Sequence, residues 1–199
     1  MNHSEDTIRN YDHFLPQRNS LLMRGLLMTV TGFVLTVMSA VNPQVHIMSQ
    51  ASSWLPFVSI VIVIAGIMGC IDAYASRHSK EFYINLQIAS MDTVVGIFLL
   101  TELNKPADKL ILLAAAYLLI KGIFRVVAGI SVDFVNHSSA TWGGLLSIFF
   151  GLLLWQEWPS ASMWFICFCL SVDVMTRGWA LVRFGVWLRA LHRQSNPEA

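Results

Sequence analysis

Charge is what this chain has least of. Lys, Arg, Asp and Glu make up 13% of its 199 residues, about half the roughly 25% of an ordinary soluble domain. So sparse a charge, with a net value of +1, gives no basic surface for nucleic acid. Amphipathic helices are also lacking. The apolar runs are apolar all round, so a water-soluble bundle would have nothing to cover its core. Cysteine is scarce, and Cys70, Cys167 and Cys169 all fall inside apolar runs. They make neither a disulfide framework nor a CxxC metal site, and packing is their expected role.

Catalytic motifs are missing as well. The chain contains no HExxH, GxSxG or Walker A pattern. Its six histidines (His3, His13, His46, His78, His137, His192) lie in tails, loops or run ends on both sides of the apolar runs, where they cannot converge on one metal. Asp72 follows Gly69 by three positions, so the GxGD pattern of intramembrane aspartyl proteases is not completed. The expectation is a non-enzymatic protein with no cofactor and no bound metal.

What is present is hydrophobic length. Apolar residues make up 55% of the chain, and the mean hydropathy is +0.59. Six runs read as membrane spans: Leu21 to Val41, Trp54 to Ala75, Phe82 to Thr101, Lys109 to Ser131, Trp142 to Gln156 and Ala161 to Phe184. In lipid the backbone must satisfy its own hydrogen bonds, so the expected fold class is all-α, a polytopic helical bundle. Residues 1–20 are expected as a cytoplasmic tail, 21–185 as the transmembrane domain and 186–199 as a second cytoplasmic tail. The opening MNHSEDTIRNYDHFLPQRNS is polar and carries both signs of charge. It lacks the apolar run and cleavage site of a signal peptide, so the first run is expected to stay as an anchor. Arg9, Arg18, Arg24, Arg77, Lys80, Arg183, Arg189 and Arg193 fall on the side of the N-terminus, against Lys105 and Lys109 opposite. Both termini are therefore expected in the cytoplasm by the positive-inside rule, as an even number of spans also requires.

The connections suggest an internal repeat. Outer loops at 42–53, 102–108 and 157–160 are short and carry Pro43, Pro106 and Pro159. Each pair of spans reads as a tight hairpin, giving three parallel hairpins. Gly66, Gly122 and Gly178 recur at a spacing of 56, preceded by Ala65, Lys121 and Arg177, while Gly96 precedes Glu102 by six and Gly151 precedes Glu157 by six. Parallel repeats differ from the inverted repeats of many secondary transporters. Gly143, Ser147 and Gly151 form a small-residue ridge, as do Gly32, Thr36 and Ala40. Such ridges let helices approach closely, within one chain or in a homo-oligomer. Trp54, Trp142, Trp155, Trp158, Trp164, Trp179 and Trp187 cluster toward span ends, as an interfacial belt does.

Five charges carry the most weight within the spans: Asp92, Lys121, Arg125, Asp173 and Arg177. Unpaired at mid-helix, each costs roughly 2.5 to 3.5 kcal/mol, about 12 to 18 kcal/mol for all five. They must face the interior or water, or find partners. By depth, Asp92, Lys121 and Asp173 meet near the midplane. Arg125 and Arg177 lie one turn nearer the cytoplasm, where Asp72 and Arg24 are also placed to join. Two readings follow: ion pairs that fix helix register, or a polar core that responds to protons or lines a route for protons or a small solute. On the outer face His46, Glu102, Asp108 and Glu157 form a second titratable set, ordinary solvated loop groups or first receivers of protons from an acid exterior.

A Gly- and Leu-rich span, an outer turn with Pro and a second span closing on Gly resembles the repeat of the HdeD family of acid-resistance proteins. The match is carried by WGGLLSIFFGLLLWQEWPSASMWFICFCLSVDVMTRGWALV (142–182) and, more weakly, by VVGIFLLTELNKPADKLILLAAAYLLIKGIFRVVAGI (94–130). The resemblance implies six spans, a bacterial inner-membrane location and a role in tolerating acid or envelope stress. It implies no catalytic residues. The lipid bilayer is the partner expected, a second copy of the chain is a further candidate, and the identity of any other protein partner is unknown from sequence.

Overall fold

The computed structural model describes residues 18–42, 54–75, 82–103, 106–131, 137–158 and 162–195. Among them every regular element is a helix, six in all: α1 (Arg18–Val41), α2 (Leu55–Ala75), α3 (Phe82–Thr101), α4 (Ala107–Ser131), α5 (His137–Trp155) and α6 (Met163–Ser195). Four are long and apolar enough to cross a membrane, over Leu22–Val41, Leu55–Tyr74, Ala107–Ile130 and Met163–Val186. The expectation of six adequate runs is corrected for α3 and α5. Their apolar stretches are Asn85–Thr101 and Thr141–Trp155, roughly 22 to 26 Å at 1.5 Å per residue against about 30 Å of hydrocarbon. The reason is polar entry: α5 opens on His137, Ser138 and Ser139. The segment 186–199, expected as a tail, begins as helix. α6 continues to Ser195, because Trp187 to Gln194 holds good helix formers and no proline stops the chain before Pro197.

The surface is what lipid requires. On α1 alone Met23, Leu26, Leu27, Val30, Phe33 and Val34 are exposed, a stripe far too large for water. Trp142, Trp155, Trp158 and Trp179 are exposed too, whereas Trp54 and Trp164 pack against the core.

The closest packing does not follow the hairpins expected from the outer loops. It joins α2 to α3, α4 to α5 and α6 to α1. One contact, made three times, explains why. Val63, Leu119 and Met175, each 56 residues apart, lie against Gly96, Gly151 and Gly32. One turn on, Gly66, Gly122 and Gly178 lie against the backbone of Thr93, Ile148 and Thr29, and against the carbonyls of Ala89, Gly144 and Gly25. Glycine on each even helix thus admits the backbone of the odd helix beside it, the main source of attraction where lipid supplies no hydrophobic drive. The ridge of Gly143, Ser147 and Gly151 faces α4 and α6 inside the chain, whereas on α1 Ala40 is exposed, so the ridge there ends at Thr36.

Burial is uneven along the bundle. At the end that holds the turns after α3 and α5, here the outer end, Leu55, Val58, Ile62, Leu99, Leu110, Leu118, Leu154 and Ile166 form a solid apolar layer. Beyond mid-depth burial thins, and α6 is mostly half-buried or exposed after Val174. The turn after α5 closes with Trp158 N donating to Leu153 O at 3.1 Å and Glu157 N to Leu154 O at 3.1 Å. This Schellman cap puts Glu157 at φ 54°, a position that ordinarily takes glycine.

The glycine contacts generate a graded prediction. A methyl on Gly122 would stand 2.8 Å from Gly144 O and 2.9 Å from Ile148 N, backbone atoms that cannot yield, whereas one on Gly185 meets only the Leu22 side chain. Gly122→Ala should therefore destabilise the detergent-solubilised protein by about 1 to 3 kcal/mol, and Gly185→Ala by clearly less. Thermal unfolding of both variants checks the order.

Candidate functional site

Below the apolar layer the five intramembrane charges come together. Lys121 on α4 is the hub. Its ammonium donates to Asp173 Oδ2 at 2.6 Å and to the Tyr117 hydroxyl at 2.7 Å, and stands 2.9 Å from Asp92 Oδ1. Tyr117 donates in turn to Asp92 Oδ1 at 2.6 Å, and Arg177 Nη1 donates to Asp92 Oδ2. Asp173 also accepts from Ser147 Oγ at 2.6 Å and from Arg125 Nη1 at 3.3 Å. The side chains of Asp92, Lys121 and Asp173 are at most 2% exposed, Arg125 is 9% and Arg177 20%. The network is dry at its centre and opens toward the inner end.

Helical spacing explains the convergence. Tyr117, Lys121 and Arg125 lie four apart on one face of α4, and Asp173 and Arg177 do the same on α6. Glycine makes room for both guanidinium groups: Arg125 lies against Gly143, and Arg177 against Gly69. Arg24 and Asp72 pair with each other at 2.7 Å, half-buried, one level nearer the inner end.

Tyr117 and Ser147 are the two members that sequence reading missed. Both carried a usable signal. Tyr117 stands 56 residues before Asp173, five positions ahead of its glycine just as Asp173 is of Gly178. Ser147 stands four before Gly151, as Asp92 stands four before Gly96, but its place in a small-residue ridge made it read as packing.

The outer set does not form a comparable constellation among the described residues. Asp108 sits in the first turn of α4, where a carboxylate favours the helix dipole. Glu157 is the exposed left-handed residue of the α5 cap. Neither has an ion-pair partner among the described residues. Glu102 is half-buried in the turn after α3, its N–H on Phe98 O at 3.0 Å, and His46 lies outside the described residues. No group of three or more His, Cys, Asp or Glu among the described residues is placed to hold a metal ion.

Chemically, the network offers mutual pairing more than reactivity. Every oxygen of Asp92 and Asp173 is engaged, and Lys121 has all three donors committed. Removing one member of such a buried pair costs about 3 to 5 kcal/mol, because the partner is left charged and alone. Asp92→Asn should therefore destabilise the protein by about that amount. Adding Lys121→Met restores the original net charge of the cluster and should recover about 1 kcal/mol or more. A chemical or thermal unfolding cycle over the four proteins measures this coupling, and additive losses would contradict it. Comparison of the chain with protein-family models, with curated proteins and with solved structures finds no match.

Proposed function

We propose that this chain is a non-enzymatic, six-span protein of the bacterial inner membrane, a scaffold of the HdeD type that preserves its own packing when the exterior turns acid. The observation that carries the reading is the position of the ion network: fully paired, and roofed on its outer side by the apolar layer. A proton arriving from outside meets Leu, Ile and Val before any carboxylate of the network. The lock that holds the helices therefore stays charged while the surroundings acidify.

The membrane reading extends from the four long helices to α3 and α5 because each lies along a longer partner, α3 on α2 and α5 on α4. Flanking polar residues at their inner ends make up the missing length. The excess of Lys and Arg near the inner end supports cytoplasmic termini. The thrice-made glycine contact supports descent from a two-helix unit repeated three times, with each even helix packed on the odd helix of the next copy and α6 closing the ring on α1. The apolar roof and complete pairing speak against the alternative of a proton or solute channel, which needs a wet path through both halves.

The test is survival of an acid challenge by a strain lacking the gene, complemented with wild type or with Asp92→Asn. Wild type should restore survival and Asp92→Asn should restore it poorly, in proportion to its lower membrane abundance on immunoblots. Equal survival of the deletion strain and its parent would remove the stress role. Proton flux through vesicles containing the purified protein should match that of empty vesicles, and flux abolished by Asp92→Asn would establish the channel instead.

A further inference from the structure

One groove on the bundle is not accounted for by packing or by the ion network. It lies between α1, α5 and α6 in the inner half, with a volume of about 640 Å³. Its deep end is apolar, formed by Phe33, Leu146 and Met175. Its mouth carries Trp142, Trp179 and Arg183, all exposed. The groove exists because the α4–α5 and α6–α1 pairs, each tight within itself, touch only thinly where α5 meets α6.

Depth assigns the two ends. Counting from Met163 at the outer end of α6, Trp179 and Arg183 lie roughly 24 and 30 Å along the helix, the level at which a hydrocarbon core of about 30 Å gives way to headgroups. Two indoles with an arginine beside them are the residues that meet headgroups at that level. Arg183 has no hydrogen-bond or ion-pair partner among the described residues. Met175, Trp179 and Arg183 are spaced by four, so they line one face of α6 from the apolar end to the charged mouth.

The charge of the floor points the same way. The ion network holds three cations, Lys121, Arg125 and Arg177, against two carboxylates, Asp92 and Asp173, leaving one positive charge in excess. Gly143 forms part of the groove wall, and the Arg125 guanidinium lies directly against it. A zwitterionic lipid would gain less than an anionic one from Arg183 at the mouth and the net positive network behind Gly143. We infer that the groove is a binding site for one anionic phospholipid of the inner leaflet, an acyl chain lying on Phe33, Leu146 and Met175 and the phosphate meeting Arg183 between the two indoles. The inference rests on the membrane reading above, and it gives that scaffold a defined lipid partner.

The test uses the full chain purified in mild detergent and titrated with phosphatidylglycerol or phosphatidylethanolamine, with bound lipid counted by native mass spectrometry. Wild type should retain one phosphatidylglycerol in preference to phosphatidylethanolamine. Arg183→Ala, at an exposed position, should weaken that binding about ten-fold. Arg193→Ala, which removes the same charge ten residues further along the chain, should leave it unchanged. Leu146→Trp, which fills the deep end, should also abolish retention, and its thermal unfolding in lipid-free detergent shows whether it has folded. Should it not fold, Phe33→Ala takes its place. Equal retention of the two lipids, or equal losses for Arg183→Ala and Arg193→Ala, overturns the site. Alkaline carbonate extraction of native membranes separates the two failures: release of the chain refutes the membrane reading, whereas a retained chain without lipid preference refutes only the lipid site.

Discussion

A charge placed in lipid has to find its opposite on another helix, and here that requirement sets how the bundle closes. The three tight helix pairs are zipped by glycine and need no ions within them. Between pairs close backbone approach is sparse, and the ion pairs fall at those junctions. Lys121 and Tyr117 tie α4 to Asp92 on α3; Lys121, Arg125 and Ser147 tie the α4–α5 pair to Asp173 on α6; Arg177 ties α6 back to Asp92, and Arg24 ties α1 to Asp72 on α2. All three junctions are bridged. The desolvation of these charges is offset only when every partner arrives, so the network acts as a specificity device: it penalises any bundle in which the pairs meet in another register.

The 56-residue spacing also relates the members of the network to one another. At the level of the lock, α3 and α4 contribute Asp92, Tyr117 and Lys121, and α5 and α6 contribute Ser147, Asp173 and Arg177. Each set holds one carboxylate, one hydroxyl and one cation, with carboxylate and hydroxyl exchanged between the odd and even helix. In each set the hydroxyl donates to the carboxylate of its own unit. The residues at the same spacing on α1 and α2 are Met28, Val61 and Ala65, so at this level those two helices contribute no charge. Arg125 stands outside this scheme. Its counterparts are Gly69 and Leu181, and it brings the one charge that the exchange does not balance.

Much of this was legible in the chain before any coordinates. Helix number and the positions of the four long apolar helices follow from hydropathy, because lipid leaves the backbone few alternatives. The meeting of Asp92, Lys121 and Asp173 follows from depth, since residues in adjacent spans at equal distance from the interface share one layer. Two things were not legible. Short outer turns suggested that α1 and α2, or α5 and α6, pack most closely, but a short loop fixes only that two ends are near. Close approach belongs to whichever face carries glycine, and those faces look from α2 to α3, from α4 to α5 and from α6 to α1. Tyr117 and Ser147 were hidden for a related reason: a hydroxyl in a span costs little when exposed or bonded to its own helix, so it carries no alarm of the kind a lone Asp raises. Ser147 Oγ is within hydrogen-bond reach of both Gly143 O and Asp173 Oδ1, its one proton serving the shorter contact to the carboxylate, and sequence can read only the first of these.

The division of the bundle into a sealed outer half and an open inner half follows from the same geometry. Apolar side chains on all six helices can fill a shared core only where no ion network occupies the centre, which confines the solid layer to the outer side of Asp92 and Asp173. On the inner side lie the guanidinium groups of Arg125 and Arg177, the more exposed members of the network, and the seams between the pairs open there. A side chain that must stay charged needs access to water or to an anion from one direction at least. The seams provide that access from the inner side, while the roof of Leu55, Leu99, Leu118 and Ile166 denies it from the outer side. A bundle built this way is polar toward one compartment and inert toward the other, and its asymmetry arises from where the charges sit along the helices, with no separate domain needed to impose it.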